Sequence, residues 1–271
     1  MAYKIQKMGV SGILDQAITL TKNHFGLLFG IIAMGWLPCQ VLIGLISAYS
    51  QSTFSGSPEQ AVAGMQSGQT VPFAAAFFVI FIFAMLIVLP VTNAAVIYAV
   101  SEQYLGRSTT PGAAMKFGFS RLGALIWTSI LMGLAIMGGF ILLIIPGILC
   151  LLWFGLAQHV VVLEGLSGGK ALGRSRQLTR SSMGTFVGLG IVVWVINFAL
   201  GLGVGVIPEP YTMNLVNVLV SSIMTAFTTA MFVVFYFSCR CDLENFDLEL
   251  LAKAVGESSP DTKTDDGELS V

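Results

Sequence analysis

Long stretches without any charged residue constrain this chain more than any other feature. Residues 122–163 contain no Asp, Glu, Lys or Arg. An α-helix needs roughly 20 apolar residues to cross a hydrocarbon core of about 30 Å, so this stretch could hold two crossings. Six apolar segments of suitable length lie at residues 25–49, 73–100, 122–145, 147–163, 184–207 and 213–238. The sequence therefore predicts an all-α, polytopic membrane protein with six transmembrane helices.

The composition excludes several other classes of protein. Only 10% of the 271 residues are charged and 55% are hydrophobic, whereas roughly a quarter of the residues of soluble proteins are charged. An ordinary soluble enzyme, a nucleic-acid binder with a basic face and a disordered chain are all inconsistent with these values. The bilayer itself is the first partner that the sequence predicts, and no nucleic acid is expected.

The third and fourth predicted helices are separated only by Pro146 and Gly147. Proline removes a backbone donor and glycine permits a left-handed turn, so the pair is predicted to close a tight hairpin. The alternative is that Pro146 only kinks one re-entrant segment. In that case the number of helices would change and the topology after it would invert.

The charged residues fall into segments of different sign. Residues 1–24 and 101–121 each carry a net charge of +2, and residues 164–182 carry +3, whereas the breaks at 50–72 and 208–212 each hold one acid and no base. Short cytoplasmic loops of membrane proteins are enriched in Lys and Arg. With six crossings all basic segments lie on one side, which predicts that both termini lie in the cytoplasm. Five crossings would place the four bases of 164–182 outside.

Each basic segment also has the pattern of an amphipathic helix. The apolar positions are Ile13, Leu14, Ala17 and Leu20 in the first segment and Ala114, Phe117 and Leu122 in the second. In the third, Ala171, Leu172, Ser175 and Leu178 share a face opposite Arg176 and Arg180. Such helices lie in the headgroup layer with their apolar faces towards the acyl chains and their cations among anionic phosphates. We therefore expect three units, each an interfacial helix followed by a transmembrane hairpin, with anionic lipid headgroups as partners.

These patterns divide the chain into three parts. Residues 1–24 form a cytoplasmic N-terminus with an interfacial helix, and residues 25–238 form the six-helix membrane domain. Residues 239–271 carry a net charge of −6 and are rich in Ser, Thr and acids towards the end. Such a composition cannot bury enough apolar surface to fold, so an acidic and largely disordered cytoplasmic tail is predicted.

Residues 145–180 resemble the central signature of a known bacterial membrane-domain family. The similar positions are Ile145 to Ile148, Trp153-Phe154, Val160 to Gly165, Ala171-Leu172, Arg174-Ser175 and Leu178-Thr179. This family includes the integral membrane domain fused to some glycerophosphoryl diester phosphodiesterases and stand-alone, mostly uncharacterised inner-membrane proteins. The resemblance implies a six-helix membrane module and no phosphodiesterase activity, because the catalytic half of the fused proteins is a separate metal-dependent barrel for which this chain has no room.

Few residues could support catalysis or bind a metal ion. The chain has two histidines, His24 at the edge of a predicted span and His159 within the fourth, whereas a metal site requires several ligands at suitable spacing. His159, Asn93 and Asn197 could form a buried polar site, but intramembrane polar groups more often join helices to one another. The sequence thus predicts no catalytic residue, no metal site and no cofactor.

Glu164 is the most informative single position, because it ends the fourth span before a segment with four bases. An ion pair with Arg174 would fix the angle between that span and the next helix; alternatively, the two residues form a headgroup or substrate site. The complete set of structural or interaction candidates is Glu164, Arg174, Ser175, Arg176, Arg180, Pro146, Gly147, His159, Asn93 and Asn197.

Three functions are compatible with these observations. The favoured hypothesis is a non-catalytic membrane module that acts as a scaffold or associates with lipids. The first alternative is a transporter of small molecules or lipids, although no charge lies within the predicted spans, where coupled transporters usually keep one. The second alternative is a lipid-modifying enzyme that uses Glu164 and His159.

Overall fold

The computed structural model describes residues 6–36, 71–205 and 210–246, and every regular element within these ranges is helical. This confirms the predicted all-α class. A single π-helical turn, Ala84–Val88, joins the third helix to the fourth. The helices are α1 (Val10–Asn23), α2 (Phe25–Trp36), α3 (Val71–Phe83), α4 (Leu89–Tyr104), α5 (Pro111–Ser120), α6 (Leu122–Leu142), α7 (Ile144–Phe154), α8 (Ala157–Leu163), α9 (Gly168–Ser181), α10 (Met183–Gly205) and α11 (Pro210–Glu244).

Five helical segments in the described ranges are long and apolar enough to cross a bilayer. They are Phe78–Tyr104, Leu122–Leu142, Ile144–Leu163, Met183–Gly203 and Val216–Glu244. A sixth is added if α1 and α2, which meet at an angle of 77°, count as one bent span. The fold is therefore compatible with a multi-pass membrane protein of five to six crossings. Most of the first predicted span, from residue 37 onward, lies outside the described residues.

The connection between α6 and α7 lies three residues before the position that the sequence predicts. Leu143 has extended backbone angles (φ −167°, ψ 155°) and separates the two helices, which pack against each other. Pro146 and Gly147 instead belong to the start of α7, so the prediction that they form the turn was wrong. Proline is well tolerated there, because the first N–H groups of a helix have no partner within the helix.

Gly147 allows the two helices of this hairpin to approach closely. A Cβ atom at Gly147 would lie 2.5 Å from Cγ of Phe140, and one at Gly139 would lie 3.0 Å from Cα of Gly147. Real Cβ atoms essentially never come within 3.0 Å of another heavy atom. Glycine is thus required here by packing and not by a left-handed turn.

Several spans have different ends from those predicted. The second span continues to Tyr104 instead of ending at residue 100, and the sixth continues to Glu244 instead of ending at 238. The fourth begins at Ile144 and is interrupted at 155–156. The prediction placed boundaries at the first charged or polar residues. However, a helix can continue through charged residues at its end when their side chains are paired or reach water.

The three basic segments contain the predicted helices, α1, α5 and α9. In α9 the predicted apolar face is buried and Arg176 and Arg180 are exposed. However, this face packs against α6, α7, α8 and α11, and the apolar face of α1 packs mainly against α11. The expectation that these faces point into the lipid was therefore wrong, because neighbouring helices of the same chain cover them.

The core and the outer surface are composed of different helices. Residues 230–241 of α11 are mostly buried, together with α8 and the middle of α4. By contrast, α6 and α10 expose large apolar side chains such as Ile141, Trp194 and Phe198. An exposed apolar surface of this kind is expected where helices face hydrocarbon.

Candidate functional site

The predicted ion pair between Glu164 and Arg174 is present. Nε of Arg174 lies 3.0 Å from Oε1 and 2.9 Å from Oε2 of Glu164. Both side chains are only 15% exposed. The pair joins the end of α8 to the second turn of α9, as its spacing in the sequence suggested.

Helix α11 adds three further residues to this pair. Tyr236 donates a hydrogen bond of 2.8 Å to Oε1 of Glu164. Glu244 accepts a hydrogen bond from Nη2 of Arg174 and, at 2.9 Å, another from Nε of Arg240. We call these five residues the charge cluster. They connect three helices, α8, α9 and α11, near the end of the bundle where the acidic C-terminal segment begins.

The loop between α8 and α9 brings Arg174 back towards Glu164. Gly168, the first residue of α9, has a positive φ of 58°, a conformation that favours glycine. Its N–H donates a hydrogen bond of 2.8 Å to Oγ1 of Thr128 on α6. This contact anchors the start of α9 and thereby sets the position of its first two turns.

The charge cluster is balanced and internally satisfied. It contains two carboxylates and two guanidinium groups, and each guanidinium contacts at least one carboxylate. Burial alone would lower the pKa of Arg174, but its hydrogen bonds to Glu244 and Glu164 outweigh this and raise the pKa above its usual value. A fully paired cluster of this kind fixes helix positions and leaves no charge free for a ligand.

A groove on the outer side of α9 carries the cations that the charge cluster does not use. It encloses about 430 Å³. We call it the α9 groove, and its lining residues are Gly173, Arg176, Gln177, Arg180, Ser181 and Leu243. None of these is acidic, and neither arginine forms an ion pair with another residue that the structure describes.

Arg176 is held in place by an aromatic ring. Its Cζ lies 4.1 Å from the centroid of the Trp153 ring on α7, within the distance of a cation–π interaction. Ser175, another predicted candidate, donates a hydrogen bond of 2.8 Å to the backbone carbonyl of Trp153. Both contacts attach α9 to α7 and orient one wall of the groove.

The polar residues predicted within the spans lie in two different places. Asn93 and His159 line the same cavity, of about 290 Å³, between the membrane-spanning helices. Asn197 is exposed on α10 and donates a hydrogen bond of 2.8 Å to the carbonyl of Val193 on its own helix. It therefore does not join Asn93 and His159. Pro146 and Gly147 belong to the hairpin between α6 and α7.

Sequence reasoning did not connect the residues of α11 to Glu164. Tyr236 lies within the predicted last span, whereas Arg240 and Glu244 lie beyond its predicted end at residue 238. The three residues follow one another at intervals of four, the spacing that places side chains on one helix face. Extending the helix to residue 244 would have placed Arg240 and Glu244 on the same face as Tyr236. No such local pattern marks Trp153, whose role depends on the packing of α7 against α9.

Among the described residues, no three or more His, Cys, Asp or Glu side chains lie close enough together to hold a metal ion.

Comparison with known proteins identifies one family. A domain of unknown function (DUF7847) matches residues 93–239, more than half of the chain. The matched region runs from Asn93 in the intramembrane cavity to the residue before Arg240, and it includes Glu164, Arg174 and Tyr236. No curated protein and no solved structure matches the chain. The chain belongs to the DUF7847 family.

Proposed function

We propose that this protein is a non-catalytic membrane module that binds the anionic headgroup of a lipid in the α9 groove. The observation that carries the proposal is the pair of exposed arginines, Arg176 and Arg180, in a groove without acidic residues. Arginine presents a planar fork of N–H donors that matches phosphate oxygens.

The contrast with the charge cluster supports this choice of site. Arg174 and Arg240 already contact Glu164 and Glu244, so binding an anion there would require breaking an existing pair. Arg176 needs no such rearrangement, because its contact with the Trp153 ring leaves guanidinium N–H groups available. The cluster thus acts as the support that holds α9, and the groove acts as the binding surface.

The position of the groove also suits a lipid headgroup. Arg176 and Arg180 lie between two membrane-spanning segments, one that ends at Leu163 and one that begins at Met183. A short basic helix between two spans lies near the membrane surface, where each cation contributes favourably to binding anionic lipids. Trp153, next to Arg176, is a residue type enriched at such interfaces.

The same proposal places all three basic segments on the cytoplasmic side of a bacterial inner membrane, as three units that each consist of a helix near the membrane surface and a hairpin. Contacts at one end of the bundle support it. Lys7, just before α1, pairs with Asp242 at 2.6 Å, and Arg174 of α9 pairs with Glu244. The hydroxyl of Tyr104, where the second basic segment begins, donates a hydrogen bond of 2.9 Å to Gln16 of α1.

We also propose a relationship to the membrane domains fused to glycerophosphoryl diester phosphodiesterases. The support is the similarity of residues 145–180, which contain α7, α8 and most of α9. Under this proposal the feature that the two groups of proteins share is the membrane module alone, without the catalytic barrel.

Native mass spectrometry of the purified protein in detergent would test headgroup binding. Wild-type protein should retain phosphatidylglycerol in preference to phosphatidylcholine, and the double variant R176Q/R180Q should lose roughly one order of magnitude in phosphatidylglycerol affinity. Inorganic phosphate should compete weakly if the site recognises a lipid and strongly if it recognises a free anion.

The variant K22Q/K116Q is the matched control. It removes two exposed cations from α1 and α5 but leaves the α9 groove intact, so it should bind phosphatidylglycerol like the wild type. An equal loss in both double variants would mean that binding reflects general charge and would contradict a site in the groove.

A further inference from the structure

The intramembrane cavity that contains Asn93 and His159 has an unusual lining. It lies between α4, α6, the α7–α8 segment and α11, and most of its wall is apolar. Its polar side chains come from three helices and all lack a formal charge; they are Asn93, Gln158, His159, Thr228 and Thr229. A second cavity, of about 340 Å³, is also lined by Asn93 and Gln158, and Ser129 lies in its wall.

The environment of His159 indicates that this cavity holds a ligand. Its side chain is 8% exposed, and neither ring nitrogen forms a hydrogen bond with any residue that the structure describes. Its ring contacts the Phe232 ring, at 6.1 Å between centroids. Buried polar groups are nearly always hydrogen-bonded, because desolvation without a partner is costly.

Two other polar side chains of the membrane-spanning segments already have hydrogen-bond partners. Gln158 donates a hydrogen bond of 3.2 Å to the hydroxyl of Ser129, and Asn197 bonds to its own helix. Oγ1 of Thr92 is also buried without a hydrogen-bond partner among the described residues, but Thr92 lies against Gly35 of α2 and does not line the cavity. His159 is thus a lining residue of the cavity whose buried polar atoms lack a partner among the described residues.

The lining determines what kind of ligand would fit. Neither cavity is lined by Asp, Glu, Lys or Arg, so neither a cation nor an anion would find a counter-charge. A neutral imidazole offers one N–H donor and one acceptor. A hydroxyl group, which also donates and accepts, is its simplest complement.

The surroundings of the cavity suggest how such a ligand would enter. Leu151 and Gly155 line the cavity and are exposed on the outer surface of the bundle. Leu151 lies in the membrane-spanning segment Ile144–Leu163, so this opening faces hydrocarbon. A ligand arriving by this route must itself be soluble in the bilayer.

We propose that this cavity binds an uncharged, hydroxyl-bearing lipid. Its hydroxyl forms a hydrogen bond with one ring nitrogen of His159, near Asn93 and Gln158, and its alkyl chain lies along the apolar wall. Diacylglycerols and long-chain alcohols belong to this class. The site is separate from the α9 groove, and neither proposal depends on the other.

Competition between matched probes would test the proposal. The protein, reconstituted in phosphatidylcholine nanodiscs, would be labelled with a photoreactive diazirine derivative of hexadecanol, and the labelled peptides would be mapped. Labelling should concentrate on α7, α8 and α11, and hexadecanol should suppress it about tenfold better than hexadecane, which lacks only the hydroxyl. Equal suppression by both, or uniform labelling of the outer helix faces, would overturn the proposal.

Substitutions at His159 and Asn197 provide a second test of the proposal. H159F should reduce specific labelling about tenfold, whereas N197A, which removes a polar side chain from the lipid-facing surface, should leave it unchanged. Because H159F could fail to fold, thermal stabilisation of the wild-type protein by hexadecanol, compared with hexadecane, gives an independent measurement. Stabilisation by hexadecanol alone supports the site; no difference between the two compounds contradicts it.

Discussion

Tyr236 on α11 donates a hydrogen bond of 2.8 Å to the carboxylate of Glu164, which ends α8. Glu164 thus accepts hydrogen bonds from two helices at once, since Arg174 reaches it from α9 at 2.9 Å. A single carboxylate therefore connects the end of one membrane-spanning segment to the last span and to the basic helix that carries the α9 groove. The arrangement makes Glu164 a structural centre of the protein.

The ion pair should contribute measurably to stability. We expect E164Q and R174Q each to lower the free energy of unfolding by ~1–3 kcal/mol, because each leaves a partly buried charge with fewer partners. The double variant should cost less than the sum of the two, with a coupling energy of at least ~1 kcal/mol. Titration with sodium dodecyl sulfate in mixed micelles would measure all four proteins.

The ion pair between Lys7 and Asp242 is a suitable comparison for this double-mutant cycle. Lys7 is 67% exposed, so the same cycle with K7Q and D242N should give a coupling energy of only ~0.2–1 kcal/mol. Additive effects of E164Q and R174Q would contradict a structural role for the pair.

Removal of the Tyr236 hydroxyl should weaken the contact between α11 and α8. Y236F keeps the buried ring and loses the hydrogen bond to a charged acceptor, so we expect a loss of ~1–2 kcal/mol. Y98F is the control, because the Tyr98 ring stacks on Phe117 and its hydroxyl has no hydrogen bond to another described residue. The same unfolding titration would compare the two variants; equal losses would argue against a specific role of the Tyr236 hydroxyl.

Close packing in the hairpin of α6 and α7 predicts that alanine substitutions at Gly147 and Gly138 differ in their effect on stability. G147A should destabilise the protein by ~1–3 kcal/mol, because the new methyl group would overlap the Phe140 ring. G138A, on the same hairpin, places its methyl group where no atom lies within 4 Å and should cost nothing. Thermal unfolding in detergent would distinguish them, and a neutral G147A would mean that the two helices are further apart than described.

The proposed topology can be examined in whole cells. In a variant whose native cysteines, Cys39, Cys150, Cys239 and Cys241, are replaced, Q177C should resist a membrane-impermeant maleimide until the cells are opened. S57C, in the predicted external break, should react in intact cells. Labelling of Q177C in intact cells would reverse the orientation and place the α9 groove outside.

The sequence was informative wherever the physical signal is local. Apolar length predicted the spans, because a helix must reach across about 30 Å of hydrocarbon. Amphipathic spacing predicted α1 and α9, and the separation of ten residues correctly suggested that Arg174 meets Glu164 across one short loop. These features depend on residues that are close to one another along the chain.

Tertiary structure alone decided which side chains contact one another across the fold, because those contacts depend on which helices pack together. The apolar side of α9 has the same sequence pattern whether lipid or protein covers it, and only the packing of α6, α7, α8 and α11 decides between them. Likewise, no local pattern brings Tyr236 to Glu164, or His159 to the cavity that it shares with Asn93. Sequence determined where the chain can cross a membrane. Packing determined which polar groups are paired between the helices and which, like the ring nitrogens of His159, have no partner among the described residues.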